Sequence, residues 1–465
     1  MTEFRTRNER FRLAVDEAGL THEQLATDVR RVALEAGESL RTNKSAVTHW
    51  MGGRPPAPRT AAYIAEALSR RLGRHLTPAD FGWEDPGQNS DRADATLGLG
   101  IGPDPVDTVR RVGEADINRR KVLTGAAYSV AAAALPLGLP QAAEAQDRGA
   151  TANSRRVGPS DIATVRSMLA AFTTIDERQG GQHGRSAVVQ YLRSDVADIT
   201  RGRFAKEAHR AEALGTAASV AYLAGWKAYD AGEHGLSQKY YLQALALTRE
   251  GGHRLHEAWI LRIMAHNGMD IFRPEHTLDL AGAALARVDG RADPGLLSLF
   301  VITHARALGI AGRGTEAAVQ VRRAQDLALR GQDEELPYWA ALWGRPKATV
   351  ASHTAKTFRS LGDHANAERQ YAAATRGYDR STDDRSRITA LSLASQGKEQ
   401  AAQGHLEQAC GTWDRALTYF DGVYSDRALK EVSSIRRQLA VFDRRGVGAA
   451  SQLDDRARTW QLAHA

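Results

Sequence analysis

The sequence predicts an all-α protein, with a helix-turn-helix domain at the N-terminus followed by an α-solenoid of paired helices. Three observations predict this class. Apolar residues recur at helical spacing in residues 1–84 and again from about residue 160 to the end. A pattern of small and aromatic residues around a turn position repeats between residues 224 and 417. Aromatic residues make up only 6% of the chain, so its cores must consist mainly of alanine, leucine and valine, which suit close helix packing.

Composition limits the classes of function. The chain has 465 residues, of which 42% are hydrophobic and 25% charged, as is typical of soluble proteins with two or three domains. The net charge of +7 permits nucleic-acid binding but does not establish it. Between residues 41 and 74, seven basic residues accompany one acid, so most of the formal excess could lie on one surface. The single cysteine, Cys410, excludes an internal disulfide and fits a reducing cytoplasm.

Residues 1–84 are predicted to form a compact helical domain. Thr21 and Gln24 have the spacing of a capping box, in which each side chain satisfies a backbone N–H of the other residue. The helix that they open carries apolar residues at helical spacing and is expected to run to about Glu38. A short helix after Asn43 and an amphipathic helix over residues 59–72 complete the domain.

Three segments are predicted to separate this domain from the rest of the chain. Residues 85–117 are rich in glycine, aspartate and proline, which is typical of a flexible linker. Residues 118–140 are apolar and begin with Asn-Arg-Arg-Lys, which resembles a twin-arginine export motif. We favour an internal helix or ordered linker over export or membrane anchoring, because a folded domain precedes this run and its hydrophobicity is weak. Residues 141–157 are expected to be a second, polar linker.

Residues 158–445 contain an internal repeat of helical hairpins. A small residue precedes each turn by seven positions, and a further small residue and an aromatic or apolar residue follow the turn at fixed offsets. Because one hairpin cannot bury its own apolar face, at least three must stack into a superhelix with a concave side. The repeat exceeds 34 residues, so the connecting loops are long, with an insertion near residues 334–339. The turn positions are 232, 272, 312, 362 and 404, with Phe272 in place of glycine in one copy.

Further helices flank the repeat at both ends. A pair over residues 162–172 and 187–199 precedes it. Residues 435–442 are expected to cap the stack. The tail, residues 446–465, is expected to hold a separate polar helix.

The short helix that follows Asn43 has the features of a helix that enters the DNA major groove. Val47 and Trp50, three residues apart, face the domain core, so the outward positions carry polar and basic side chains. Lysine and histidine can reach guanine acceptors, serine and threonine can contact bases or phosphates, and flanking arginines suit phosphates. A helical domain with a solvated basic face is the alternative. The candidate DNA-binding residues are Arg41, Asn43, Lys44, Ser45, Thr48, His49, Arg54 and Arg59.

This stretch, from Asn43 to Pro56, resembles the third helix of Cro/repressor-type (XRE) helix-turn-helix domains. Residues 62–82, the Asp176…Gly180-Gly181 motif and the Arg119-Arg120 segment look like a set of actinobacterial, streptomycete-type regulators. Those proteins join such a head to a tetratricopeptide body, and the resemblance extends through short motifs over essentially the whole chain. It implies transcriptional control of differentiation or secondary metabolism.

The repeat frame also predicts the lining of the concave side. In tetratricopeptide stacks the first helix of each pair lines a groove, at positions ten, six and three residues before the turn. None of these positions carries an acid here, and several carry aromatic or basic side chains. An anionic ligand such as an acidic peptide segment would suit this groove, and solvated basic residues without a ligand are the alternative. The candidate effector residues are Tyr222, Trp226, Tyr229, Arg262, His266, Arg306, Lys356, Arg359 and Lys398.

Catalysis is not favoured by any pattern in the chain. His22-Glu23 and His256-Glu257 lack the second histidine of a zinc-protease motif, and no phosphate-binding loop with Gly-Lys-Ser or Gly-Lys-Thr is present. We therefore expect no enzyme activity, no catalytic residues, no metal and no cofactor.

Together these patterns predict a cytoplasmic, DNA-binding transcriptional regulator without a membrane partner. Its helical-repeat domain is expected to bind a peptide, protein or small anionic effector or to mediate dimerisation. A homodimer is expected because one small head would bury little DNA surface. Two alternatives are a protein-interaction scaffold whose head does not bind DNA, and an exported or membrane-tethered repeat protein that uses Arg119-Arg120.

Overall fold

The protein is all-α, as predicted. In the residues that the computed structural model describes, strand structure is limited to β1, Arg156–Val157, which pairs in parallel with β2, Arg203–Phe204. The Arg119-Arg120 motif and most of both predicted linkers lie outside the described part. The described residues are 8–35, 39–72, 76, 78–83, 104–117, 128–129, 132–133, 136–137, 155–288, 290–331, 336–341, 345–379, 385–444 and 446–464.

The N-terminal domain packs four helices and a 3-10 turn around an aromatic and aliphatic core. The turn, Pro78–Phe81, brings Phe81 to Phe11 with ring centroids 5.6 Å apart. The predicted capping box is present, since the Thr21 backbone N–H donates to Gln24 Oε1 at 2.9 Å and the Gln24 N–H to Thr21 Oγ1 at 3.3 Å. The predicted helix end near Glu38 lies outside the described residues. The helices are α1 Glu9–Glu17, α2 His22–Glu35, α3 Lys44–Met51 and α4 Pro58–Leu72.

The predicted flexible linker, residues 85–117, is helical in its C-terminal part, where α5 spans Pro105–Ile117. Its first turn is stabilised by Asp104, whose Oδ1 accepts from the Asp107 N–H at 3.0 Å. Three valines spaced three residues apart bury one face of α5 in the body. The linker prediction was wrong here because the glycine-rich composition of residues 85–103 outweighed this helical spacing. The buried valines are Val106, Val109 and Val112.

The body begins with α6, Pro159–Gln179, which is longer than the predicted segment 162–172. A π turn then interrupts the predicted second helix between α7, Arg185–Tyr191, and α8, Ala197–Thr200. Helical hairpins follow, and six of them fall within the described residues. A short helix, α15, Tyr338–Ala341, lies in the predicted insertion. The hairpin helices are α9 Glu207–Asp230 and α10 His234–Glu250; α11 Arg254–Asp270 and α12 Thr277–Val288; α13 Pro294–Ile310 and α14 Gly314–Arg330; α16 Pro346–Ser360 and α17 His364–Asp379; α18 Ser386–Ala402 and α19 Leu406–Phe420; α20 Asp426–Asp443 and α21 Gly448–His464.

The five predicted turn positions share one backbone feature, a positive φ. In four of them the residue is glycine, for which this conformation carries no Cβ clash. Phe272 occupies the fifth turn at φ 57° although it has a side chain. The glycine φ values are 80° at Gly232, 76° at Gly312, 76° at Gly362 and 85° at Gly404.

The tail is not a separate polar helix, so this prediction was wrong. α20 and α21 form the sixth hairpin, with its turn at Gly446, 42 residues beyond the turn at Gly404. The apolar residues of α21 fall at other offsets from the turn than in the preceding hairpins. The repeat pattern therefore aligns polar residues of α21 with positions that are buried in those hairpins. The buried residues are Ala450, Leu453, Ala457 and Trp460.

The superhelix closes on itself. α6, at the start of the body, packs against α9 and also against α18 near the far end. The Tyr424 N–H, just before α20, donates to the carbonyl of Gln179 at 2.7 Å. The concave side is therefore a chamber surrounded by helices rather than an open groove. Across the described ranges, no helix is long and apolar enough to cross a membrane.

Candidate functional site

α3 buries one face and presents the other. Asn43 begins the helix, and its Oδ1 accepts from the Ala46 N–H at 3.0 Å. Val47 is fully buried and Trp50 is 8% exposed, so both pack into the core of the N-terminal domain as predicted. Thr48 lies on the other face, where its hydroxyl lies 3.1 Å from His22 Nδ1 and joins α3 to α2.

All eight candidate DNA-binding residues are exposed with the whole described chain present, so the body does not cover them. No acid occurs between residues 39 and 65, so α3 and the segments that flank it carry basic residues without an acid near them in the sequence. The Asn43 carboxamide oxygen is engaged as the helix cap, so its amide nitrogen is the group that remains for a ligand.

The basic surface is narrower than the sequence predicts. Of the seven basic residues in the range 41–74, Arg70 pairs with Glu66 at 2.7 Å and Arg71 with Asp28 at 3.2 Å. Arg74 lies outside the described residues. The positive face is therefore α3 with its flanks, whose cations are Arg41, Lys44, Arg54 and Arg59.

The head contacts the body through two residues of the predicted apolar segment 118–140. The Ser129 hydroxyl donates to the Glu66 carboxylate of α4, and Arg70 Nη2 donates to the Tyr128 carbonyl at 3.4 Å. On the body side, the Ser129 N–H donates to Gln238 Oε1 at 2.8 Å and Gln238 Nε2 donates back to the Ser129 carbonyl at 2.6 Å. The contact therefore uses α4 and leaves the outward face of α3 free.

The chamber has two compartments that meet at Ser352, Lys356, Ile388 and Arg427. The larger has a volume of about 760 Å³ and the smaller about 90 Å³. The chamber brings eight of the nine candidate effector residues together. Those in the smaller compartment are Tyr222, Trp226, Arg262, His266 and Lys356, and those in the larger are Tyr229, Arg306, Lys356 and Arg359.

Lys398, the ninth candidate, does not line the chamber, so this prediction was wrong. It forms an ion pair with Glu431 of α20. Lys398 lies on the same face of α18 as Leu391 and Ser395, but one turn nearer the end of the helix, where Glu431 engages its ammonium. The residues of α18 that line the chamber are Arg387, Ile388, Leu391, Ser392 and Ser395.

The chamber is not free of acids, which corrects the expectation of a purely basic groove. Asp270, at the end of α11, lies 3.1 Å from both His266 Nε2 and Lys356 Nζ, and it pairs with Arg306 at 2.5 Å. The Tyr229 hydroxyl donates to it at 3.0 Å. Burial opposes ionisation of Asp270, but the Arg306 and Lys356 charges dominate and hold the pKa of its carboxyl well below the usual range.

A second cluster of buried charges joins the two ends of the body. Arg387 of α18 pairs with Asp176 of α6 at 2.7 Å and with Asp230 of α9 at 3.1 Å. Lys227 of α9 also pairs with Asp176, at 3.1 Å. Burial raises the pKa of Asp176, but the two cations outweigh it and lower that pKa below its ordinary value. Only the Asp176 motif is visible in the sequence, because partners 211 residues apart leave no local signal.

Two cations of the chamber, Arg262 and Lys356, have less carboxylate charge beside them than the two cations of the second cluster. Arg262 is 4% exposed, donates to the Leu299 carbonyl at 2.9 Å and lies 4.6 Å from the Trp259 ring centroid. Within the described residues, it has no carboxylate partner. Lys356 shares Asp270 with Arg306. Burial lowers the pKa of Arg262 to about 10 and that of Lys356 to about 7.

Residues 11–84 match the family model described as the SP15 N-terminal domain. A search of curated proteins found no match. The family match covers the four-helix head and none of the repeat body.

Proposed function

We propose that the protein is a DNA-binding transcriptional regulator whose head inserts α3 into the major groove of a duplex. The exposed face of α3 carries the proposal. Lys44, Thr48 and His49 form a face that can contact base edges, while Arg41 and Arg54 flank it at positions suited to phosphates. The buried opposite face holds the helix in place, so the outward side chains start from a fixed orientation.

The body is proposed to control the head. Its chamber would hold a peptide, protein segment or small anionic effector, and its surface would support a homodimer that places two heads on one site. The contact of Ser129 with Glu66 on one side and Gln238 on the other supports this role, because it bridges α4 of the head and α10 of the body. We place the protein in the cytoplasm, where such a regulator meets its DNA.

The proposal predicts that Lys44→Glu weakens duplex binding at least ten-fold. Reversing this charge replaces a phosphate or guanine contact with repulsion, and Lys44 lies on the exposed face, so the fold is expected to survive. Retention on heparin and fluorescence anisotropy with a random-sequence duplex measure the effect. Arg437→Glu, which makes the same charge change on an exposed position of α20, is the matched control and should bind within two-fold of the unchanged protein.

Equal binding by Lys44→Glu and Arg437→Glu would contradict the proposal. The head would then belong to a protein-interaction scaffold, with a basic face that only keeps it in solution. A tagged chain found outside the cytoplasm after fractionation would contradict the proposed location.

A further inference from the structure

We propose that the chamber binds a small amphipathic carboxylate, with Arg262 and Lys356 holding the carboxylate and the larger compartment holding an apolar body. This inference rests on the proposed function only in treating the body as the sensing part of the regulator. It names the chemical class of the effector and the side chains that recognise it.

Cations outnumber acids along the described lining of the smaller compartment, where the acid Glu177 is engaged by Arg387. Arg262 is buried without an ion-pair partner in the described part of the chain, and a desolvated guanidinium in this state is costly unless a ligand supplies the counter-charge. Lys356 reaches the same compartment and competes with Arg306 for the one carboxylate of Asp270. An added carboxylate would relieve both cations.

An unpartnered histidine nitrogen lies beside these cations. His353 is 6% exposed and lines the smaller compartment, and its Nδ1 has no hydrogen-bond partner among the described residues. Its ring stacks on His266 with centroids 5.0 Å apart and planes 10° from parallel, which fixes its orientation. In the tautomer that carries a proton on Nδ1, it can donate to a ligand oxygen.

The sizes of the two compartments define the shape of the ligand. The smaller, about 90 Å³, lies well below the range of pockets that hold a whole small molecule, so it suits a carboxylate but not a chain. The larger, about 760 Å³, falls in the range of small-molecule pockets, about 300–1,000 Å³. Its apolar lining comes from three helices, α11, α13 and α18, and from the turn after α11. These side chains are Met269, Ile271, Phe272, Ile310, Ile388 and Leu391.

Closure of the superhelix favours a compact ligand over an extended peptide. An open groove admits a strand-like segment along its length, but here α6 and α20 meet through the Tyr424–Gln179 hydrogen bond. The Arg387–Asp176 pair closes the same side. A ligand must therefore fit inside the ring of helices, as a free carboxylic acid or as the last few residues of a peptide.

Calorimetric titration of the full chain at pH 6.5 tests the inference. The probes are decanoate, decan-1-ol with the same apolar body, and acetate with the same charge. A second arm uses acetyl-trileucine with a free C-terminal carboxylate and the same peptide as its amide. We expect decanoate or the peptide acid to bind with a stoichiometry of one and at least ten-fold more tightly than its neutral counterpart. Acetate should bind more weakly than that neutral compound. The arm in which this occurs shows whether the carboxylate is free or peptidic.

Variants identify the recognising side chains. Arg262→Gln and Lys356→Gln should each weaken binding of the acid at least ten-fold and leave binding of the neutral compound within two-fold. Arg437→Gln, at an exposed site outside the chamber, should change neither. Thermal melting verifies that each variant is folded. If either Arg262→Gln or Lys356→Gln misfolds, the other variant still tests the inference.

Several results would overturn the inference. Acids and neutral compounds binding alike, no acid binding at millimolar concentration, or equal losses for both compounds in the folded chamber variants would each do so. These titrations contain no DNA, and the Lys44→Glu experiment contains no ligand. A failure of one proposal is therefore distinguishable from a failure of the other.

Discussion

His256 on α11 is buried with neither ring nitrogen hydrogen-bonded in the described part of the chain. Its ring stacks on Trp339, with centroids 4.9 Å apart and planes 2° from parallel. Burial, with a smaller contribution from His253, lowers the pKa of His256 from 6.5 to about 3. The folded protein therefore keeps this imidazole neutral at pH values where the unfolded chain protonates it.

This difference predicts a loss of stability in acid. Above pH 6.5 neither state binds the proton, whereas between pH 6.5 and about 3 only the unfolded state does, so folding becomes less favourable as pH falls. We expect this one residue to remove about 1.4 kcal/mol of unfolding free energy per pH unit below 6.5. Urea unfolding at pH 7.0 and 5.0 should therefore show a shallower pH dependence for His256→Phe, which keeps the ring stacking.

The matched control is His405→Phe, since His405 is exposed. It should leave the pH dependence of the unfolding free energy unchanged. Parallel pH profiles for the unchanged protein and His256→Phe would show that His256 is not held neutral.

The hairpin is the element on which the body is built, and its turn explains why the repeat could be found in the sequence. The six hairpin turns each place a residue at positive φ, and glycine meets this need in five of them. Phe272 adopts φ 57° with its side chain 88% exposed, so little buried surface offsets the backbone strain. A left-handed residue that carries a Cβ costs about 1–2 kcal/mol.

We expect Phe272→Gly to raise the unfolding free energy by about 0.5–1 kcal/mol, because relief of strain exceeds the entropy that glycine adds to the unfolded chain. Gly312→Ala is the opposite change at an equivalent turn. A Cβ there would meet no atom within 4 Å, so its cost is backbone strain alone, about 1 kcal/mol of destabilisation. Urea denaturation measures both. A destabilised Phe272→Gly would show that the Phe272 side chain stabilises the fold.

Elements that follow a local rule could be predicted from the sequence, and the others could not. The α3 faces and the hairpin turns depend on spacing within a few residues, so Val47, Trp50 and the turn glycines were identified. α5 was missed because composition masked its valine spacing. α21 was missed because its apolar residues leave the repeat frame.

Closure of the body is a property of the whole molecule. α6 meets α18 and α20, and the buried Arg387, Lys227, Asp176 and Asp230 lie where these ends join. The sequence could place basic side chains on the concave side, but it could not show which of them an acid neutralises. Asp270 lies outside the predicted lining positions. Arg387 is on α18 but precedes the lining positions predicted for that helix, and Arg427 is on α20, which the predicted repeat does not include.

We predict that Asp176→Asn destabilises the body by about 3–5 kcal/mol, because it leaves the buried Lys227 without a carboxylate partner among the described residues and removes one of the partners of Arg387. Asp414→Asn removes an ion pair with Arg456 that is 54% and 39% exposed, and should cost no more than about 1 kcal/mol. Chemical denaturation compares the two variants. Similar small losses would mean that the buried cluster does not hold the ring closed.

Whether α3 reads DNA can be measured by selection of duplexes from a random-sequence pool with the intact protein. We expect that a defined sequence is enriched, that the enrichment is lost for Lys44→Glu, and that it persists for Arg437→Glu. Retention of no duplex by the intact protein, or identical enrichment by both variants, would contradict the assignment of α3 as a DNA-contacting helix.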